Sequence, residues 1–407
     1  MMLDKDILLD GHEFGGAGGS LFVGHVDSLQ GWELLKPFWE AVHLQTPGAG
    51  VFQAYPYLRA WWDQIGSQGR PLIVVVIERG VPVAIAPLQI TPVKQLRAPV
   101  RTVSFIGQPS ESDRPTLLGA PEPRYATAVA DHLLRLRREW DSVVLFEQPV
   151  NGELVRALGG RLRAEGYLTE EIPGNLCPYV DIQGTWAAYL AARTKAFRKS
   201  IKRRRAQLES MGRLECDILD ETSTAAGLSR YRDVELRSWK PAQNLGIAAS
   251  DKHWRFFQDL SRREGAAGWF RFAFLKLDGK DIAATFGLLW QRRYYSLHVA
   301  HDASHVDTSP GVVLTAMELE SFFQQADCDH YDFLGGFLSN KRGWSSGMQA
   351  TTALFGDRPR LRSRLFHLTY FRLKPWVRRM LVRLGADEYV TRKLHRYLKN
   401  RKPRADE

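Results

Sequence analysis

The chain has 407 residues, 44% hydrophobic and 11% aromatic, which is typical of a folded protein large enough for two domains. It lacks the roughly 18-residue apolar run of a transmembrane helix and the apolar core of a signal peptide, so we expect a cytoplasmic location. Residues 358–407 hold 16 Lys and Arg against 4 Asp and Glu, whereas residues 1–357 carry a net charge of −1, which argues against a nucleic-acid-binding surface over the whole protein.

The first half of the chain predicts a mixture of helices and strands. A Gly-rich segment ends the first 20 residues and predicts a flexible lead-in. Apolar runs on either side of Gly80 predict a β-hairpin with that glycine in the turn. The other predicted elements are helices at 31–43, 55–66, 125–138 and 152–165, and strands at 102–106 and 142–146.

The second half begins near Pro178 with a helix over 185–211 whose second part is strongly basic. A three-stranded antiparallel meander follows at 270–300, with Asp278-Gly279 in its first turn. The remaining predicted elements are strands at 214–219, 330–334 and 351–355, and helices at 222–239, at 251–264 and from Ser309 onward.

The two hairpins resemble each other. Gly80 corresponds to Gly279 and Ala84 to Ala283, with the same offset in both pairs. This pattern predicts a duplicated α/β domain. The alternative is that two unrelated hairpins share a common turn pattern.

Ser309-Pro310-Gly311 stands where a helix is predicted to begin. Serine suits the cap position and proline the first helical position. Such a helix start offers unpaired N–H groups and a partial positive charge, which attract a phosphate or pyrophosphate. The alternative is a plain capped helix with no ligand.

Four segments together resemble a known family. They are Phe197–Leu208, which is basic, Ser309–Leu314, Tyr331–Gly336 and Lys341–Trp344. With these segments the chain resembles the GNAT acetyltransferase fold, and more narrowly the acetyltransferase family named for cellulose-biosynthesis CelD/BcsL proteins, which is related to the Fem-type aminoacyl transferases. The resemblance covers residues 180–360 and is weaker before them. The larger transferase fold usually has the turn Arg/Gln-x-x-Gly-x-Gly/Ala, and here only Gly311 with the flanking Val312 and Val313 stands in its place.

The resemblance implies an α/β protein with tandem GNAT acetyltransferase-like domains, each a mixed, mostly antiparallel sheet flanked by helices, and a basic C-terminal helical tail. The predicted division is a lead-in at 1–20, an N-terminal domain at 21–175, a C-terminal acetyltransferase domain at 176–370 and the tail at 371–407.

The tail mixes cations with apolar residues, which suits a helix lying on an anionic membrane at its inner face. Docking on the body of the protein is the alternative.

The activity implied is acyl transfer from acetyl-CoA, or another acyl-CoA, to an amine or hydroxyl. The acceptor implied is a sugar, an amino sugar or an envelope or exopolysaccharide precursor, as in cellulose biosynthesis. Two alternatives stay open: aminoacyl transfer from tRNA, which would give the basic helix an RNA to bind, and a degenerate transferase that scaffolds polysaccharide assembly.

Candidate site residues follow from these roles. Main-chain groups of a bulged strand at Leu297 and Val299 would hold the pantetheine arm of the cofactor. The start of the following helix would hold its pyrophosphate, through Ser309, Gly311, Val312 and Val313.

Three residues are candidates for the chemistry. Asp332 would orient or deprotonate the acceptor, Tyr295 would protonate the leaving thiolate, and Lys341 would hold a phosphate or a carboxylate. For Asp332 and Tyr295 the alternative is a purely structural role, and for Lys341 it is a solvated loop charge. Arg198, Lys202 and Trp344 are candidates for acceptor binding.

No metal site is predicted. His298, His301 and His305 lie close together in the sequence, but no carboxylate set accompanies them. Cys177, Cys216 and Cys328 are far apart and odd in number, so we expect reduced thiols in or near the core.

Overall fold

The structure, a computed structural model, describes residues 2–16, 19–66, 68–96, 98–336 and 341–383. The strands in these ranges are β1 Leu9–Gly16, β2 Gly19–Val26, β3 Arg70–Glu78, β4 Val81–Gln95, β5 Ala98–Phe105, β6 Leu118–Gly119, β7 Ser142–Pro149, β8 Leu168–Asp181, β9 Leu214–Leu219, β10 Phe270–Leu277, β11 Lys280–Trp290, β12 Arg293–His301, β13 His330–Asp332 and β14 Gly347–Asp357. The α-helices are α1 Leu29–Leu44, α2 Tyr55–Gln64, α3 Pro123–Arg135, α4 Glu153–Ala164, α5 Trp186–Ala191, α6 Lys195–Glu209, α7 Thr224–Leu236, α8 Asp251–Leu260, α9 Pro310–Gln325, α10 Leu361–His367 and α11 Lys374–Arg383.

All the strands belong to one mixed sheet flanked by helices. Its order is β1-β2-β3-β4-β5-β7-β14-β8-β13-β12-β11-β10-β9, and β6 pairs with β4. Two pairs are parallel, β5 with β7 and β12 with β13, and the other strand pairs in the described ranges are antiparallel. The predicted α/β class with a mostly antiparallel sheet is confirmed.

The strand order repeats between the two halves. In each half a hairpin leads to a third antiparallel strand, then a helix, then a parallel strand: β3, β4, β5, α3 and β7 match β10, β11, β12, α9 and β13. The strand that follows next in the sequence of each half pairs with a strand of the other half. β14 pairs with β7 of the first half, and β8 pairs with β13 of the second. Because β8 and β14 also pair with each other, the two halves share the centre of the sheet.

The matching hairpins close with the same turn. Arg79 and Gly80 have φ of 51° and 79°, and Asp278 and Gly279 have φ of 50° and 81°. Two central residues with positive φ are typical of a type I′ turn, whose twist suits a two-residue hairpin. The predicted turns at Gly80 and at Asp278-Gly279 are confirmed.

The largest apolar cluster spans both halves. Phe52 packs edge-on against Tyr295, with ring centroids 5.2 Å apart, and Tyr57 packs in the same way against Phe256. The buried His43 stacks on Trp290 at 4.7 Å. Burial lowers the pKa of His43 to about 4, so the ring is neutral at physiological pH.

Three details differ from the sequence-based expectations. Residues 9–16, predicted as a loose lead-in, form β1 and pair with β2. The predicted domain boundary at 175/176 falls inside β8, a strand whose Pro173, Gly174 and Pro178 are typical of a loop. The predicted helix over 185–211 is interrupted at residues 192–194, and Thr194 then caps α6 by accepting from the N–H of Phe197 at 3.3 Å.

Candidate functional site

Strands β12 and β13 lie side by side for three residues and then separate. Their parallel pairing ends at Tyr295 and Asp332, although β12 continues beyond that point. The next residue after β13, Phe333, donates its N–H to the carbonyl of Pro178 on β8, at 3.0 Å. From Ser296 onward, the edge of β12 away from β11 therefore has no strand partner in the described part of the chain, and a cleft opens beside it.

A β-bulge interrupts β12 at the mouth of this cleft. Phe286 of β11 is paired with His298, but the next residue, Gly287, is paired with Ser296, so Leu297 is an extra residue on β12. A Cβ on Gly287 would overlap the carbonyl oxygen of Tyr295. Glycine at this position thus allows β11 and β12 to approach closely at the bulge.

The cleft has a volume of about 660 Å³. Its walls come from α6, β12, the start of α9 and the chain after β13. The described residues lining it include four with basic side chains and no Asp or Glu. They are Arg204, Ser238, Trp239, Lys240, Ser296, Leu297, Val299, Ala300, His301, Val306, Ser309, Gly311, Val312, Thr315, Phe333, Gly335, Gly336, Lys341 and Trp344. This lining suits an anionic ligand with an apolar portion.

Helix α9 begins at the cleft. Ser309 precedes it in the left-handed conformation, with φ 53° and ψ 56°, and its side chain makes no capping hydrogen bond. Pro310 is the first helical residue, as predicted. A Cβ on Gly311 would meet Cγ1 of Val299 at 3.6 Å, an ordinary contact, so the fold does not require glycine there. Pro310 has no N–H and the N–H of Val312 donates to the carbonyl of Ser309 at 3.0 Å, so the helix start offers the cleft its partial positive charge and the N–H of Gly311.

Five of the six predicted cofactor residues line the cleft: Leu297, Val299, Ser309, Gly311 and Val312. The sixth, Val313, is buried in an apolar cluster with Leu208 and Leu275. Its side chain belongs to the core, whereas its main chain is part of the first turn of α9.

Asp332 is buried and does not line the cleft. Its carboxylate accepts from a guanidinium nitrogen of Arg114 at 2.7 Å and lies 3.4 Å from Arg293. It also accepts from the N–H of Leu334 at 2.9 Å. Arg114 belongs to the first half, so this buried ion pair joins the two halves. The contacts favour the structural alternative for Asp332.

Tyr295 points away from the cleft. Its ring packs between Phe52 and Gly50 of the first half, and burial raises its pKa above the ordinary value. The neighbouring Tyr294 points to the opposite face of the sheet, where it donates to the buried Glu318 at 2.9 Å. Neither tyrosine lines the cleft, so the proton-donor role of Tyr295 stays a prediction that this placement does not favour.

Lys341 lies in the cleft wall and supports the chain after β13. Its ammonium group donates to the carbonyls of Phe333 at 2.6 Å and Gly335 at 2.9 Å. Burial lowers the pKa of this lysine. These contacts position the cleft wall and leave the charge of Lys341 next to the cavity.

The acceptor-binding candidates are separated. Trp344 is buried at the edge of the cleft and packs edge-on against Phe197 at 4.8 Å. On α6, Lys202 is exposed and Arg198 is half-buried, and neither lines the cleft. Arg204 lines it instead.

Arg204 could have been found from the sequence. The buried residues of α6 are Ile201 and Leu208, and the half-buried Phe197 packs in the same cluster as Ile201. Positions 197, 201, 204 and 208 follow helical spacing, so Arg204 lies on the inner face. Apart from the half-buried Arg198, the other cations of the helix are exposed, as lysines and arginines ordinarily are.

A second group of polar side chains lies on the other face of β12. The carboxylate of Glu111 is 3.5 Å from Nε2 of His253 on α8 and 3.9 Å from Nε2 of His298 on β12. Nδ1 of His253 is 2.7 Å from Oγ of Ser250. Glu111 has φ of 61°, in the left-handed region that non-glycine residues seldom occupy. Sequence reasoning missed this group because its members come from distant segments.

The described strands of the first half that match β11 and β12 differ from them at the corresponding place. The pairing of β4 with β5 runs without a bulge. The side chain of Gln108 bridges the end of β5 to β7, donating to the carbonyl of Phe146 at 2.7 Å and accepting from its N–H at 3.3 Å. Glu122 precedes α3 at the position that Ser309 has before α9, and its negative charge would repel a phosphate.

Within the described residues, no group of three or more His, Cys, Asp or Glu is arranged to hold a metal ion. The three cysteines are free, and burial raises the pKa of Cys177 and Cys328 to about 12. Thiols with so high a pKa are poor nucleophiles at neutral pH.

One protein-family model matches part of the second half. Residues 195–342 match the GNAT acetyltransferase domain family, described as Acetyltransferase (GNAT) domain. The matched GNAT segment runs from the start of α6 to Arg342 and contains all the cleft-lining residues except Trp344. None of the curated proteins matches the chain.

Two solved structures show the same fold over most of the chain. FemX is 11% identical, and the match covers 82% of this chain and 98% of FemX, with a TM-score of 0.54. The C-terminal domain of a putative lysylphosphatidylglycerol synthetase from Agrobacterium fabrum is 9% identical, and the match covers 83% of this chain and 96% of that domain, with a TM-score of 0.51. At these identities the likeness concerns the fold alone.

Proposed function

We propose that this protein is an acyl-CoA-dependent acyltransferase and that its second half carries the activity. The observation that carries the proposal is the cleft between β12 and β13, which combines an unpaired strand edge, a bulge and an uncapped helix start within the GNAT segment.

The residues present fit an acyl-CoA thioester. The free edge of β12 beside Leu297 and Val299 offers main-chain groups that a pantetheine arm can pair with, as an added strand would. The positive end of the α9 dipole with the N–H of Gly311, together with Arg204, suits the pyrophosphate. When bound, the thioester supplies an activated acyl group.

The other face of β12 would receive the acceptor. Leu297 lines the cleft and also packs against the apolar cluster on that face, so the bulge lies between the two sides. Glu111, His253 and His298 are the groups there that can take a proton from an attacking amine or hydroxyl. The proton would pass to the Glu111 carboxylate or to an imidazole beside it.

We further propose acetyl as the acyl group and a sugar, an amino sugar or an envelope or exopolysaccharide precursor as the acceptor. The support for this acceptor class is the resemblance of the four sequence segments to the CelD/BcsL family. The test is incubation of the full-length protein with acetyl-CoA and a panel of amino sugars and sugars. Thiol release and mass spectrometry of the acceptor measure transfer, and absence of both with every acceptor tested would count against the acetyl-transfer proposal.

A second candidate is aminoacyl transfer from tRNA. It is favoured by the exposed cations of α6, which are Lys195, Lys199, Lys202, Arg203 and Arg205. Retention of the protein on immobilised tRNA, with no heat of binding for acetyl-CoA, would support this candidate. Binding of neither ligand would favour a scaffold of polysaccharide assembly.

The base on the acceptor side has its own test. Glu111→Gln is expected to lower kcat about 100-fold and to leave acetyl-CoA affinity unchanged, because the residue lies across β12 from the cleft. Ser112→Ala, next to it in the same loop, is the control. Wild-type kcat in Glu111→Gln would remove Glu111 from the mechanism without affecting the assignment of the cleft.

A further inference from the structure

Helices α10 and α11 form one continuous helical segment with a row of exposed apolar side chains. Leu361 is 86% exposed and Trp376 is 54% exposed, values that are high for large apolar residues. We refer to the row as the apolar stripe, which consists of Leu361, Leu365, Leu368, Leu373, Trp376, Val377 and Met380.

A π-helical turn aligns the stripe. Residues Leu368–Leu373 form this turn between α10 and α11. Before the turn, Leu361, Leu365 and Leu368 are four and three residues apart, which is the spacing of one face of an α-helix. After the turn, Trp376 and Val377 are three and four residues from Leu373, and Met380 continues the same face. Across the turn it advances by five, from Leu368 to Leu373, which is the spacing that brings residues together in a π-helix. Without the extra residue, Leu373 and Trp376 would lie on another face.

The opposite face of the segment anchors it to the protein. His367 is buried, with Nε2 2.8 Å from a carboxylate oxygen of Asp357 on β14. Phe371 packs against Phe355 of the same strand, with ring centroids 5.0 Å apart. The apolar stripe therefore faces away from the body, and the segment is held in place without it.

Cations surround the stripe. Residues 358–383 contain nine Lys and Arg and no Asp or Glu, whereas residues 1–357 are nearly neutral overall. Three of the nine are engaged with the body: Arg360 with Asp141, Arg362 with the carbonyl of Ala98, and Arg372 with Glu170. On α11, Lys374, Arg378, Arg379 and Arg383 are exposed.

We propose that the apolar stripe docks on an anionic lipid bilayer surface. An apolar row flanked by cations is the pattern of a helix that lies in the membrane interface, with its apolar residues in the acyl boundary and its cations on the phosphates. None of the helices in the described ranges is long and apolar enough to cross a bilayer. A second copy of the chain fits this surface poorly, because the cations of two copies would repel each other. Of the tail predicted at 371–407, residues 384–407 lie outside the described residues.

The test is flotation of the full-length protein with vesicles of phosphatidylcholine, with and without phosphatidylglycerol. The wild type is expected to float with the anionic vesicles, and less so as salt is added. The double variant Leu368→Ser with Trp376→Ser is expected to bind roughly tenfold more weakly. The matched control is Val150→Ser with Met211→Ser, two exposed apolar residues outside the stripe, which should float like the wild type.

Failure of the wild type to float with anionic vesicles would overturn the proposal, as would equal flotation of the stripe variant. Self-association measured by light scattering, lost in the stripe variant and without flotation, would assign the surface to a contact between copies and would also overturn it. Transfer to a soluble acceptor is a separate measurement, so the acyltransferase proposal and this one can fail independently.

Discussion

At the scale of single residues, the structure separates groups that contact the cleft from groups that build it. Gly311 and Arg204 face the cavity, whereas Asp332 is paired with Arg114 and Lys341 holds main-chain carbonyls. A residue whose type suggests catalysis can instead be bound in an ion pair to a residue far along the chain. Arg114 is 218 residues from Asp332.

Gly311→Asp tests the helix start. A carboxylate at the helix start is expected to weaken acetyl-CoA binding by about tenfold or more, because it repels the pyrophosphate. Isothermal titration calorimetry measures the affinity. Gly311→Ala is the matched control, since its Cβ makes only an ordinary contact with Val299. Equal losses in the two variants would indicate a steric effect, and no loss in either would show that the helix start holds no phosphate.

Glu318 on α9 gives a prediction about pH. It is buried, and burial raises its pKa although Thr285, Tyr294 and Tyr331 donate hydrogen bonds to it. A raised pKa in the folded state means that the stabilising contribution of this group is present below its unfolded pKa and is lost as pH rises through the folded value.

Glu318→Gln is therefore expected to gain stability relative to the wild type as pH rises from acidic to alkaline values. Thermal unfolding of both proteins across that range measures the difference. Glu320→Gln, on a partly exposed position of the same helix, is the control and should show no such trend. A difference between Glu318→Gln and the wild type that does not change with pH would contradict the account.

At the scale of elements, the bulge in β12 and the early end of β13 produce the cleft. Most elements could be predicted, because apolar periodicity and the turns at Gly80 and Gly279 are local signals. The bulge at Leu297 could be placed only as a candidate, since the pairing of β11 with β12 decides it. Strand β8 was missed because its prolines and exposed polar residues are typical of a loop, and its pairing with β14 is a long-range contact.

Gly287→Ala tests whether the bulge builds the cleft. The added Cβ would overlap the carbonyl oxygen of Tyr295, so β12 must move away from β11 at the bulge. We expect a loss of stability of about 1–3 kcal/mol and weaker acetyl-CoA binding in the protein that remains folded. Chemical denaturation and calorimetry measure the two effects. Gly268→Ala, where a Cβ meets no atom within 4 Å, is the control. Unchanged affinity in Gly287→Ala would show that the bulge does not shape the cofactor site.

At the scale of the whole molecule, two similar halves share one sheet but differ in their chemistry. The repeat could be predicted from the spacing of the hairpins. The exchange of β8 and β14 between the halves could not, because no local signal records which sheet edge a strand joins. The loop that carries Glu111 and Arg114 places residues of the first half against the second, so the site depends on both halves.

Asp332→Asn tests this dependence. The change removes one of the two carboxylates that pair with the buried Arg114 and leaves Asp113 at 2.8 Å, which is expected to lower the free energy of unfolding by about 1–3 kcal/mol. Chemical denaturation of the full-length protein measures the loss. Asp329→Asn, which breaks an exposed pair with Arg292, is the control and should leave the unfolding curve nearly unchanged. Unchanged stability of Asp332→Asn, together with a large fall in kcat, would assign Asp332 to catalysis instead.

The most direct test of the cleft assignment is hydrogen exchange of the full-length protein with and without acetyl-CoA, read by mass spectrometry. The cofactor is expected to slow exchange at residues 296–301 and 309–313, where the edge of β12 and the first turn of α9 lie. It should leave the matching segments of the first half, at 104–108 and 122–126, unchanged. Protection in the first half, or no protection beside β12 at saturating cofactor, would contradict the account.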